Sequence, residues 1–573
     1  MAFLDAKEAA LQKAVDTPPR PAWYCSGCPH NSSTKVPDGS LALGGIGCHI
    51  MATTIYPEST KTFSQMGGEG ATWIGQAPFS KRKHIFANLG DGTYFHSGLL
   101  SIRAAQAANV NITYKLLYND AVAMPGGQPI DGKLTVPMIA QQLVGEGVKR
   151  VVVVTEDVLR YSEDSGLPST VAVYDRNDLK KVQEELREVA GVSVLIYDQK
   201  CSAEARRRRK KGEIETPKQR LFIHETVCEG CGDCGVQSDC VSILPLETEF
   251  GRKRMIDQSA CNLDYTCLKG FCPSFITVVG GKPKKPATPN STDQANFAPL
   301  PQPELPRVGA STYNILINGI GGTGVITVGA LLGMAAHLEG KGASALDMTG
   351  MSQKNAAVTS HVRIAQAPEN IRAQRIAAGE ADLILGCDML TAGAWEALAK
   401  TRAGRTVAAV NTHQQPTGHF TQDTDWTFPA DRVRDQLEEA VDGQVHFVDA
   451  TRIATALLGD SIATNLFMLG FAYQKGLIPL ADGAILRAIE LNGVAVDLNK
   501  QAFLWGRRAA YDLNAVERAA APAQPVVMTL PETLDKLVER RVEFLTAYQN
   551  AAYAKRYREF VDKVIARSEQ AGL

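Results

Sequence analysis

A chain of 573 residues is long enough for about four domains at ~150 residues each, and each could bury its own core. With 60 basic and 61 acidic residues the formal net charge is −1, so bulk electrostatics give no case for a nucleic acid or a membrane surface as partner. Twelve cysteines behind a charged start without an apolar leader argue against disulfides and export, and for metal or redox chemistry in a reducing, cytoplasmic compartment.

In chain order, residues 1–22 read as a tail: a short helix and a Pro-rich connector. Residues 23–212 alternate β-rich apolar runs ("HIFANLG", "NITYKLLYND", "RVVVVTED", "VSVLIYDQ") with helical stretches ("FHSGLLSIRAAQAA", "DLKKVQEELREVA"), which predicts a parallel sheet covered by helices. Residues 213–282 lose that periodicity, and cysteines dominate. Residues 283–310 are rich in Pro and polar residues and read as a linker. A second α/β domain follows over 311–498, and residues 499–573 look helical. The uncharged run Ile315–Leu338 is long enough to span a bilayer. Its glycine cluster after a short β-like stretch favours a strand, a turn and a helix instead.

Three sets of residues carry chemistry. In the first, Gly90-Asp91-Gly92 follows a strand and opens a helix, and Asn119 ends the next strand. That is the spacing of a thiamine diphosphate signature. A diphosphate needs a hard divalent ion such as Mg2+ with oxygen ligands. Asp91, the Asn119 side chain and the Ala121 carbonyl can supply three, and Gly126, Gly127 and Gln128 extend the motif. The helix N-terminus favours the anion.

Cys25, Cys28 and Cys48 lie early in the same domain, and Cys201 follows its last strand. Four thiols at one end of the sheet would hold a proximal [4Fe–4S] cluster beside the cofactor, with Cys48 and His49 nearest to it. The alternative is two buried cysteine pairs without redox role. His30 and His49 flank these cysteines, with tuning and structural roles both open.

The third set is Cys228-x2-Cys231-x2-Cys234-x5-Cys240 followed by Cys261-x2-Asp264-x2-Cys267-x4-Cys272-Pro273. In bacterial ferredoxins the fourth cysteine of such a run ligates the other cluster. One cluster then takes Cys228, Cys231, Cys234 and Cys272. The other takes Cys240, Cys261 and Cys267, with Asp264 or solvent at the fourth iron, or is a three-iron cluster with Asp264 on the surface. Four-cysteine zinc is the bland alternative.

"YCSGCPHNSSTKVP", "GIGCH", "QMGGEGATWIGQAPF" and "YNDAVAMPGGQ" resemble the 2-oxoacid:ferredoxin oxidoreductases, and among them the C-terminal half of the fused indolepyruvate ferredoxin oxidoreductases. The resemblance runs from about residue 23 to the end. It implies a multidomain α/β fold: a thiamine-diphosphate-binding domain, a small ferredoxin-like α+β iron–sulfur domain, a gamma-type α/β domain and a helical C-terminal region. It also implies oxidative decarboxylation of an aryl 2-oxoacid to an acyl-CoA, with coenzyme A as co-substrate and electrons leaving through three clusters to ferredoxin. The family's pyrimidine-binding domain and its activating glutamate are expected on a partner chain, making a hetero-oligomer, unless this sequence is a fragment of a longer chain. A rival reading is an electron-transfer scaffold subunit without its own catalytic cofactor.

Gly319-x-Gly321-Gly322-x-Gly324 suits a dinucleotide when read literally, with Asp347 as the late acidic partner. The resemblance points instead to coenzyme A phosphates or to packing against a partner. The basic run Arg206–Lys211 could bind a nucleic acid or an acidic donor protein but reads first as a solvated loop or a docking contact inside the complex, and Cys387 as a buried core thiol.

Overall fold

The computed structural model describes residues 1–12, 17–121, 132, 134–282, 299–309, 311–349, 355–521 and 533–571. Its first sheet has seven strands: β1 (Ala42–Gly44), β2 (Thr60–Phe63), β3 (Ile85–Gly90), β4 (Ile112–Tyr118), β5 (Arg150–Thr155), β6 (Ala172–Asp175) and β7 (Val192–Asp198). They lie in the order β2-β1-β3-β4-β7-β5-β6, and every pairing is parallel. Strand alternation divides the core in two. Leu116, Val151, Val153, Val194 and Ile196 face the helices Leu99–Ala107 and Val136–Gly145. Leu117, Val152, Val154, Leu195 and Tyr197 face the helix Leu179–Arg187. With both faces covered, β3, β4 and β7 are buried almost throughout, as a parallel sheet requires.

Residues 219–279 form two small antiparallel pairs. β8 (Gln219–Ile223) joins β11 (Phe275–Val279), and β9 (Ile243–Thr248) joins β10 (Gly251–Ile256). Their core is thin: Leu221, Ile223, Ile243 and Ile256 share it with Cys228 and Cys234, and Cys240, Cys261 and Cys267 pack against it.

The second large sheet comprises β12 (Tyr313–Ile320), β13 (Gly342–Met348), β14 (Ala357–Ala365), β15 (Leu383–Gly386), β16 (Val407–Asn411) and β17 (Val445–Val448), in the order β13-β14-β12-β15-β16-β17. β14 runs antiparallel to both its neighbours. The Ile315–Leu338 run is β12, a turn and the helix Val325–Leu338, and no helix among the described residues is long and apolar enough to cross a membrane. Helices Thr464–Gln474 and Val496–Tyr511 meet through glycines: a Cβ on Gly470 would run into the Phe503 carbonyl, and one on Gly506 into that of Phe467. Phe503, Trp505, Val516 and Ala520 therefore belong to the core of this second sheet. Beyond them, Leu534–Tyr548 and Ala551–Gln570 form a helical hairpin, fixed to the β9–β10 turn where Arg540 and Arg541 grip the buried Glu249.

Candidate active site and metal centres

Because the first sheet is wholly parallel, the carboxyl ends of β1, β3, β4 and β7 open on one edge, where such sheets place their ligands. Cys48 and His49 follow β1, Asp91 follows β3, Asn119 follows β4 and Cys201 follows β7. Asp91 is 5% exposed. Its Oδ1 accepts from the Gly92 N–H at 2.8 Å, and its Oδ2 from the N–H groups of Asn119 at 2.9 Å and Asp120 at 3.1 Å. One carboxylate thus ties two strand ends together. Burial pushes its pKa up to about 6 against the pull of these donors. The Asn119 Oδ1 is buried without a hydrogen-bond partner, and Ala121 is buried nearby in sequence. A buried amide oxygen with free lone pairs beside a carboxylate fits a hard cation. Gly126, Gly127 and Gln128 lie outside the described residues.

The β1 turn folds over this loop. His49 Cε1 would stand 3.2 Å from a Cβ on Gly90. A Cβ on Gly45 would run into the Asn88 carbonyl and lie 2.9 Å from His49 Nε2, so only glycine permits the approach. His49 Nε2 is buried and unpartnered, and burial lowers its pKa to about 4. Two polar residues here escaped the sequence reading. Glu69 is 0% exposed and accepts from the Gly67 N–H at 2.7 Å, and burial raises its pKa. Asn88 is buried with neither amide atom partnered. The only signal for Glu69 was its place among glycines in "QMGGEGATW".

Cys25, Cys28, Cys48 and Cys201 share one cluster with Trp23, Tyr24, Met51 and Ile55. Burial, then the neighbouring thiolates of Cys25, Cys48 and Cys201, drive the Cys28 thiol well above its ordinary range. His30 meets His49 edge-on at 5.8 Å.

Cys228, Cys231, Cys234 and Cys272 line one cavity of about 160 Å³ with Phe271 and Phe275. Burial raises the Cys234 thiol to about 12. Cys240, Cys261 and Cys267 form a second group: burial, then the charges of Cys240 and Cys261, raise the Cys267 thiol. Asp264 does not turn into that group. Its carboxylate faces Arg176 and Gln199. Among the described residues no group of three or more His, Cys, Asp or Glu side chains is arranged to hold a metal ion. All twelve thiols are free of disulfides.

The basic run forms the helix Ser202–Lys211 and docks inside the chain: Arg206 donates to the Ala260 carbonyl at 3.2 Å, and Arg209 to that of Asn262 at 2.8 Å. The Gly319–Gly324 loop does not build a dinucleotide crossover. The antiparallel β14 separates β12 from β13, so Asp347, paired with Ser360 on β14, lies two strands from the loop's own strand. The loop packs instead: Asn465 Nδ2 donates to the Thr323 carbonyl at 2.9 Å, and Arg20 beside it is consumed by a bidentate pair with Asp388. Cys387 is buried, and burial lifts its thiol to about 12.

Comparison with known proteins agrees with this division. Residues 45–197 match the thiamine pyrophosphate enzyme C-terminal TPP-binding domain, residues 314–509 match pyruvate ferredoxin/flavodoxin oxidoreductase, and residues 534–572 match a family of unknown function. The chain belongs to the 2-oxoacid:ferredoxin oxidoreductase family. Within it, the chain is similar to the indolepyruvate oxidoreductase subunit IorA of Archaeoglobus fulgidus, 31% identical over 46% of this chain and 40% of that one. It is equally similar to subunit IorB of Methanothermobacter thermautotrophicus, 30% identical over 35% of this chain and 97% of that one. The chain therefore spans about 40% of the IorA relative's length. Among solved structures, the pyruvate oxidoreductase subunit PORC of Thermotoga maritima aligns at 23% identity and a TM-score of 0.26, over 35% of this chain and 96% of that one.

Proposed function

We propose that this chain is a subunit of a cytoplasmic, thiamine-diphosphate-dependent oxidoreductase that oxidatively decarboxylates indolepyruvate or a related aryl 2-oxoacid to an acyl-CoA. Electrons pass through three iron–sulfur clusters to ferredoxin or a similar acceptor. The pyrimidine-binding domain and the activating glutamate complete the site from a partner chain or from a longer form of this one. The observation that carries this reading is the meeting of the Asp91–Asn119 edge with the four proximal cysteines: the Cys201 N–H donates to the Asn119 carbonyl at 3.0 Å.

Bound thiamine diphosphate supplies an electron sink for the decarboxylation. Asp91, the Asn119 side chain and the Ala121 carbonyl hold Mg2+ at the diphosphate, and Gly90 and Gly92 let the backbone approach. His49, whose pKa burial lowers to about 4, keeps its Nε2 buried at the Gly45 turn beside Gly90. Cys25, Cys28, Cys48 and Cys201 hold the proximal cluster. Cys228, Cys231, Cys234 and Cys272 hold an outer one, beside the exposed Cys231 and Phe271 where an acceptor can approach. Cys240, Cys261 and Cys267 hold the third.

The test is Asp91→Ala in the assembled complex. Thiamine diphosphate binding by calorimetry should be lost with turnover while iron content holds. Unchanged turnover would remove the proposal and leave the scaffold role.

A further inference from the structure

Asp264 stands where a second ferredoxin run would carry its middle cysteine, and the chain turns it elsewhere. Leu263 and Tyr265, on either side, have φ of 60° and 65°. That is left-handed backbone which side-chain-bearing residues rarely adopt, and it persists only where the surroundings enforce it. Between them the Asp264 side chain is 7% exposed. Its Oδ1 accepts from Arg176 Nη1 at 2.6 Å and from Gln199 Nε2 at 2.8 Å, and its Oδ2 accepts from the Thr266 hydroxyl. A second Arg176 nitrogen donates to the Asp264 main-chain carbonyl. Arg176 follows β6 and Gln199 follows β7, so these donors belong to the sheet that carries the proximal cysteines.

The same contact seats the Cys25–Cys28 loop. A Cβ on Gly27, itself at φ 60°, would stand 2.9 Å from the Asp264 Cβ. Asn262 Nδ2 donates to the Ser26 carbonyl at 2.8 Å, and Ser26 Oγ lies 3.5 Å from Cys240 Sγ. To reach an iron held by Cys240, Cys261 and Cys267, Asp264 would have to abandon these donors and strip the largely buried Arg176 guanidinium of its hydrogen-bonded carboxylate, an unfavourable exchange.

We propose that Asp264 is a positioning residue and not an iron ligand. Through Arg176 and Gln199 it bolts the second cysteine set to the sheet that carries the proximal set, its Cβ against Gly27 of the proximal loop, and it leaves the second cluster on three thiolates. This rests on both sets being iron–sulfur sites. A fourth iron there has no protein ligand and is the first to leave on oxidation.

The assembled complex, prepared anaerobically as native protein, D264A, D264N and R176A, is titrated with ferricyanide. Iron release and the EPR signal of a three-iron cluster are followed, with hydrogen exchange read at residues 25–28 and 261–267. Native protein, D264A and D264N should each release about one iron per chain at the same oxidant level and give the same three-iron signal. Exchange in both segments should rise roughly tenfold or more in D264A and R176A, and stay protected in D264N, which keeps an acceptor for Arg176. Retention of the fourth iron by the native complex overturns the inference, whether or not D264A loses it. Unchanged exchange in both D264A and R176A overturns the bolt. A complex without iron removes the cluster reading itself, and the inference with it.

Discussion

The main-chain N–H of Cys201 donates to the main-chain carbonyl of Asn119 at 3.0 Å. One hydrogen bond therefore joins the residue whose side chain is proposed to face Mg2+ to a residue proposed to ligate the nearest cluster. β4 and β7 are register neighbours, Tyr118 opposite Asp198, so the two sites share the rigidity of the sheet centre.

From this follows a separable loss. Cys201→Ser should remove the proximal cluster, lowering iron by about four atoms per chain while the two ferredoxin-like sets keep theirs. Thiamine diphosphate affinity should change little, because the Cys201 N–H remains. Iron analysis with calorimetry on the same preparation checks both halves.

Lys115 gives a pH prediction away from the proposed metal ligands. It is 0% exposed, donates to the Lys35 carbonyl at 2.8 Å, and burial lowers its pKa to about 7 from an ordinary value near 10.5. Between those two values the unfolded chain binds a proton that the folded chain does not, so stability rises with pH across that window. The penalty is complete below about 7 and gone above about 10.5. The apparent Tm should climb from neutral to alkaline pH more steeply in native protein than in Lys115→Met.

Gly470 marks a close helix approach in the second α/β unit. Gly470→Ala forces the helices Thr464–Gln474 and Val496–Tyr511 apart and should cost roughly 1–3 kcal/mol or more. Calorimetric unfolding should show that unit melting earlier, with the cysteine-bound iron retained.

Glu249 tests the C-terminal hairpin. Its side chain is 3% exposed against Arg541 Nη2 at 2.6 Å and against Arg540. Removing one partner of a fully buried pair costs about 3–5 kcal/mol; with Arg540 28% and Arg541 20% exposed, the loss here should be smaller. Glu249→Ala should free residues 534–570 to limited proteolysis, with cleavage before any loss of iron.

Much of this was legible in the sequence for physical reasons. β3, β4, β5 and β7 are buried on both faces, so they read as unbroken apolar runs. The cysteine spacings fixed which thiols could meet. β14 was missed because Thr359, Ser360, His361 and Arg363 interrupt its apolar pattern, although Ser360 and His361 are buried. That strand is what removes the dinucleotide reading of the Gly319–Gly324 loop. The direction of Asp264 was not legible for a different reason: it depends on left-handed backbone at Leu263 and Tyr265 and on an arginine 88 positions away, and no local pattern announces either. Glu69 and Asn88 reach the site only through tertiary packing around Gly45.

The central claim is that the Asp91–Asn119 cation site lies beside the Cys25, Cys28, Cys48 and Cys201 cluster. Replacing Mg2+ with paramagnetic Mn2+ in the loaded complex tests it most directly, with spin relaxation of the reduced proximal cluster as the readout. Faster relaxation in native protein, abolished in Asp91→Ala, is the predicted result. A proximal cluster whose relaxation ignores bound Mn2+ would contradict it.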